Sequence, residues 1–129
     1  MLVLDTHAWL WWTDDPERLS GPARDAIDAT ESVGVAAISC WEVAMLALAR
    51  RVEFDREISA WVRQALARPG IVALPLTPKV AVQAALLERD GFVQDPADRL
   101  IYATAREAGA TLVTRDARLR DFDARGTLW

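Results

Sequence analysis

Cysteine, lysine and histidine are nearly missing from this chain of 129 residues: each occurs once, as Cys40, Lys79 and His7. A lone cysteine excludes an internal disulfide and a cysteine-based zinc site. Long hydrophobic runs are also missing. Val43 to Ala49 is among the longest, far short of the ~20 residues that span a bilayer. The opening Met-Leu-Val-Leu-Asp has neither the basic start nor the cleavage site of a secretory signal. A cytoplasmic protein without membrane attachment is therefore expected. Positive charge is in deficit too. A net charge of −4 and a pI near 4.9 exclude broad attraction to nucleic acid through net charge.

What is present is globular in balance. Apolar residues make up 52% and charged residues 26%, which argues against disorder. The length suits one core, so residues 1–129 are expected to form a single domain that needs no structural metal. Fourteen of the fifteen cationic residues are Arg, whose planar fork suits phosphate and carboxylate, although GC-rich coding yields the same bias.

Short apolar runs alternate with helical patterns. Leu2–Leu4 reads as a buried strand ending at Asp5, and His7–Trp12 as a short helix. Ser20 caps a helix to about Ala29, and Val33–Ile38 is a second strand. Ser39-Cys40-Trp41-Glu42 has capping-box form and opens a helix to about Ala49. Asp55 is placed as the cap of another helix, which ends before Pro69-Gly70. Ile71–Leu74 is a third strand. Thr77-Pro78 starts a helix that ends near Gly91, and Asp95-Pro96 starts one that stops at Gly109. Thr111–Thr114 is a fourth strand and Thr127–Trp129 a short fifth. Continuous apolar strands separated by helices imply a three-layer α/β/α sandwich with a mainly parallel central sheet of four or five strands.

Ligands in such sheets sit outside the carboxyl ends of the strands. Asp5 ends the first strand, Glu42 lies in the first turn after the second, Asp116 follows the fourth, and Asp95 and Asp98 open the helix leading into it. Clustered anions need a cation to neutralise them. An all-oxygen set suits a hard ion, Mg²⁺ or Mn²⁺, which can hold a phosphodiester and activate a water. Each acid has a plainer explanation: Glu42 could complete the capping box, Asp98 complement a helix dipole, and Asp116 cap Ala117–Arg120. Asp5 is the hardest to dismiss.

The opening Leu-Val-Leu-Asp5-Thr6-His7, the central Ile-Ser39-Cys-Trp-Glu42, the stretch from Asp95 through Asp98-Arg99, and Thr114-Arg115-Asp116 together resemble a PIN domain. The chain is similar to the VapC ribonuclease toxins of toxin–antitoxin pairs over its whole length. The resemblance implies a PIN-like fold and an endoribonuclease acting on single-stranded or structured RNA with Mg²⁺ or Mn²⁺. It also implies a homodimer held inactive by a cognate antitoxin protein. The acidic quartet then falls on Asp5, Glu42, Asp98 and Asp116, with the metal on Asp5, Asp98 and Asp116. Thr6 and Thr114 fall on accompanying polar positions, and Asp95 supports the site.

Arg99 adjoins Asp98, and Arg115, Arg118 and Arg120 surround Asp116; these four could contact RNA phosphates or offset the negative charge. His7 could touch substrate or act in proton transfer, but is expected first to be a structural start of the first helix, and Cys40 a packing residue. Trp9 and Trp12 share a helix face, while Trp11 points away. Trp9, Trp11, Trp12 and Met45 are candidates for an antitoxin interface, Trp11 foremost. Trp41, Met45 and Leu48 form a stripe for which core packing is the first explanation and an antitoxin groove the second.

Three rival functions are weighed. A response-regulator receiver needs an Asp after the third strand, but Leu74-Pro75-Leu76 stands there. A haloacid-dehalogenase-like phosphatase needs an acid two residues after the first Asp, and His7 occupies that position. A catalytically silent binding protein has no use for the intact acids.

Overall fold

A computed structural model describes residues 1–129. Five strands, β1 (Leu2–Leu4), β2 (Val33–Ala36), β3 (Ile71–Leu74), β4 (Thr111–Val113) and β5 (Thr127–Leu128), form one sheet in the order β3-β2-β1-β4-β5. All four pairings are parallel. Seven helices cover it: α1 (Thr6–Asp14), α2 (Gly21–Ala29), α3 (Ala37–Leu48), α4 (Ile58–Leu66), α5 (Pro78–Leu86), α6 (Pro96–Glu107) and α7 (Ala117–Phe122). Short 3₁₀ turns occupy Pro16–Arg18 and Leu87–Asp90. The expected three-layer sandwich is what forms, and no helix is long and apolar enough to cross a membrane.

Pleat alternation splits the core in two. Leu4, Val35 and Val113 face one layer with Trp9, Ile27 and Trp61. Val3, Ala36 and Leu112 face the other with Ile101, Tyr102 and Leu119. Gly34, in the middle of β2, is small for a packing reason: a Cβ there would stand 2.7 Å from Leu74 Cδ1 and 3.1 Å from Val3 Cγ2.

The helix starts follow local chemistry. Ser20, Thr77, Asp95 and Asp116 accept hydrogen bonds from the amides of Ala23, Val80, Ala97 and Arg118, and Pro stands in the first turn of α2, α5 and α6. Gly109 adopts the left-handed φ of 63° expected where α6 stops.

Three expected boundaries shift. The second strand ends at Ala36, and α3 begins at Ala37 without a side-chain cap, so no Ser39–Glu42 capping box forms. Both side chains instead have a distant partner in Thr6. Glu57, not Asp55, caps α4, accepting from the amides of Ser59 and Ala60. Asp55 is drawn off by the adjacent Arg56 guanidinium at 2.7 Å. Finally, α1 begins at Thr6, with Asp5 as its cap.

Strand order decides where a ligand can enter. From β1 the chain adds β2 and β3 on one side, then returns to place β4 on the other. The crevice at that reversal lies between the carboxyl ends of β1 and β4, where open parallel sheets bind ligands. Asp5 directly follows β1, and Asp116 lies three residues past the end of β4.

Candidate active site

At that crevice is a cavity of about 680 Å³ whose wall carries all five acids expected there: Asp5, Glu42, Asp95, Asp98 and Asp116. They arrive from the end of β1, from α3, from the start of α6 and from beyond β4. Thr6, His7, Trp11, Arg115 and Arg118 complete the wall.

Asp5 accepts from the Ala8 amide at 2.8 Å, so its helix-cap role and its place in the cavity coincide. Burial is the main force raising its pKa, and Asp116 adds to this. The Thr114 hydroxyl, the Ala8 amide and His7 act the other way. Thr114 is fully buried and its Oγ1 accepts from the Asp116 amide at 3.1 Å. One threonine thus ties the loop carrying Asp116 to the neighbourhood of Asp5.

Thr6 is buried and organises Glu42. Its hydroxyl donates to Glu42 Oε1 and lies 3.1 Å from Ser39 Oγ, whose proton it can accept. Burial raises the Glu42 pKa, with Asp95 and Asp5 adding to it and Thr6 opposing. Asp98 is pushed up to about 6, first by burial and then by Glu42, Asp95, Asp116 and Asp5 in turn. Asp5, Glu42 and Asp98 thus each feel the charge of neighbouring acids, an arrangement that costs free energy unless something positive enters.

No three of the acids converge into a ready-made ligand cage. Carboxylates that repel one another spread apart, and a hard cation such as Mg²⁺ keeps several waters and needs only one or two carboxylates directly. The donor set, all oxygen with a surplus of negative charge, fits such an ion.

The remaining expectations separate. Arg115 and Arg118 line the cavity, and Arg118 Nε lies 3.5 Å from Asp116 Oδ1. Arg99 does not reach it: this side chain points to a separate hollow beside α5 and lies 4.0 Å from Glu88. Adjacency to Asp98 in sequence misled, because neighbours on a helix point about 100° apart.

Trp9 is corrected as a candidate for contact with a partner. It is fully buried and packs edge-on against Trp61 at 5.2 Å. Trp12 is half-buried against the same core. Trp11 does point elsewhere, as expected, but toward the acidic cavity, where it meets His7 and Trp129. The Trp41, Met45 and Leu48 stripe is exposed, at 56%, 45% and 78%, which overturns core packing as its explanation. Ser39 and Val43 form the buried side of α3 instead. The helix is apolar nearly all round, so its sequence does not say which side faces inward.

His7, expected mainly as a structural start of α1, also lines the wall, as does Arg118, whereas Arg120 does not. The i, i+4 spacing of His7 and Trp11 was the available signal, since it places both on one face of α1.

Comparison with known proteins adds an independent observation. Residues 2–125 match the PIN domain family. Ribonuclease VapC22 of Mycobacterium tuberculosis (strain ATCC 25618 / H37Rv) is 44% identical over 119 residues, covering 92% of this chain and 89% of that protein. Among solved structures, a toxin–antitoxin complex from Klebsiella pneumoniae superposes with a TM-score of 0.72 at 19% identity, over 100% of this chain and 97% of that one. Mycobacterium tuberculosis VapC20, described as a sarcin-ricin loop cleaving toxin, gives 0.70 at 17% identity, over 99% and 97%.

Proposed function

The chain belongs to the PIN-domain family, and from that premise we propose that it is an endoribonuclease acting as the toxin of a toxin–antitoxin pair, with residues 1–129 as one PIN-like unit. The observation that carries this reading is the convergence of five carboxylates from distant parts of the chain on one cavity at the sheet's reversal point.

Asp5, Asp98 and Asp116 are the residues to hold Mg²⁺ or Mn²⁺, with Asp95 in support. Such an ion supplies the positive charge that offsets the acids and stabilises charge developing on a phosphodiester. The chain's own groups do the rest. Thr6 fixes the Glu42 carboxylate in one orientation. The raised pKa of Glu42 suits it to accept a proton from an attacking water. Thr114 fixes the Asp116 loop beside Asp5. Arg115 and Arg118, on the cavity wall, are placed to hold RNA phosphates. The exposed Trp41, Met45 and Leu48 stripe is the surface assigned to the antitoxin, and the protein is expected to act as a homodimer in the cytoplasm.

Asp5→Asn tests the assignment. Asn is nearly isosteric and can still accept from the Ala8 amide, so the fold should survive while RNA cleavage is lost. EDTA should abolish cleavage by the wild type, and Mg²⁺ or Mn²⁺ should restore it, leaving 5′-phosphate and 3′-hydroxyl ends. Wild-type cleavage rates for Asp5→Asn, or 2′,3′-cyclic ends formed in EDTA, would overturn the reading. An intact protein that cleaves no RNA with either metal would instead favour a silent binding protein.

A further inference from the structure

A second cavity, about 400 Å³, adjoins the first and shares His7 and Trp11 with it. Its wall combines α1, the Pro16–Arg18 turn and the segment Arg51-Val52-Glu53. We propose that this cavity is a nucleotide subsite for the RNA strand that enters the acidic cavity, with a base against Trp11 and its phosphate on Arg18 and Arg51. The proposal rests on the ribonuclease reading.

Trp11 is the partition between the two cavities. The Arg18 guanidinium carbon lies 4.9 Å from the centre of its ring and that of Arg115 5.9 Å, with Arg18 lining the second cavity and Arg115 the first. A half-exposed indole flanked by arginines is a stacking platform of the kind that holds unpaired bases. A strand leaving the acidic cavity past His7 and Trp11 therefore meets an aromatic surface and then two cations.

Asp14, Asp15 and Glu53 line the same cavity, yet neither Arg18 nor Arg51 is in an ion pair. Asp14 is already occupied, accepting from Trp61 Nε1 at 3.2 Å. Asp15 and Glu53 remain as acceptors for base amino groups, while the two guanidiniums suit a phosphate.

The backbone brings the last three wall residues into place. Arg50 takes the left-handed conformation, φ 52°, at the end of α3. The amides of Arg50 and Arg51 bond back to the carbonyls of Ala47 and Leu46 at 3.1 and 3.0 Å, the Schellman pattern. This reversal delivers Arg51–Glu53 to the wall shared with α1.

The test measures binding in the Asp5→Asn background with Mg²⁺ present, using anisotropy of a labelled single-stranded oligoribonucleotide. Arg18→Ala and Arg51→Ala should each weaken binding about tenfold and lower the salt dependence by about one released counterion. Arg24→Ala, on α2 and lining neither cavity, should change neither. In the otherwise wild-type enzyme, Arg18→Ala should raise KM while leaving kcat within about twofold. The proposal is overturned if the double variant binds RNA with unchanged affinity, or if affinity falls with no change in salt slope. It is equally overturned if the arginine variants lose only antitoxin binding. Failure of the underlying ribonuclease reading is separately visible, as continued cleavage by Asp5→Asn itself.

Discussion

Asp98→Asn should make the metal-free protein more stable at neutral pH. The Asp98 carboxyl is pushed up from 3.8 to about 6 by burial and four neighbouring acids. A shift of roughly 2 units at 1.36 kcal/mol each sets an upper bound near 3 kcal/mol for the penalty of ionising it in the folded state. Water reaching the open cavity screens part of that. Asp98 also lies in the first turn of α6, where a negative charge gains ~0.3–1 kcal/mol from the helix dipole. A net gain of about 1 kcal/mol is expected, or roughly 3–5 °C in Tm for a chain of this size.

The pH profile carries the stronger signature. The folded pKa lies above the unfolded one, so below about pH 4 both states hold the proton and the two proteins melt together. The wild type loses ground as pH rises from about 4 to 6, and above about 7 the gap is complete. Mg²⁺ should close or reverse it by stabilising only the carboxylate form. Thermal melts in EDTA at pH 4 and 7.5, then with Mg²⁺, decide the matter. A variant less stable than wild type at pH 7.5 in EDTA, or a gap independent of pH, would refute the reasoning.

Other outcomes follow from the packing. Trp9→Ala should cost about 3–5 kcal/mol by denaturant unfolding, because Trp9 is fully buried, whereas Trp11→Ala should cost clearly less. Thr6→Val should lower stability by about 1–3 kcal/mol, since it leaves the Glu42 carboxylate and buried Ser39 without their partner; activity should drop as well, in melts and cleavage assays run side by side. Arg50→Gly should raise stability by about 0.5–1 kcal/mol, because a non-glycine residue pays for its left-handed backbone, and an unchanged or lower unfolding midpoint would count against the strain.

The four main strands, the capped helix starts at Ser20, Thr77 and Asp95, and the acids at strand ends were all legible in the sequence. Each depends on local chemistry: apolar runs bounded by turn residues, or a side chain that bonds an amide two or three positions on. Parallel order then follows from the alternation of strand and helix, and with it the edge of the sheet where the acids gather.

Tertiary structure alone decided which partner a residue finds when several are chemically adequate. Ser39 and Glu42 match a capping box as a sequence pattern, but the Thr6 hydroxyl, from 33 and 36 residues away, has them instead. Arg99 and Arg115 each sit beside an acid in sequence, yet only Arg115 lines the cavity. The apolar stripe of α3 and the cluster of tryptophans on α1 could each have turned inward. Trp9 did and Trp41 did not, because burial depends on which face the sheet and its neighbouring helices leave uncovered. Local sequence fixes a side chain's chemistry, whereas its surroundings depend on packing between segments far apart in the chain.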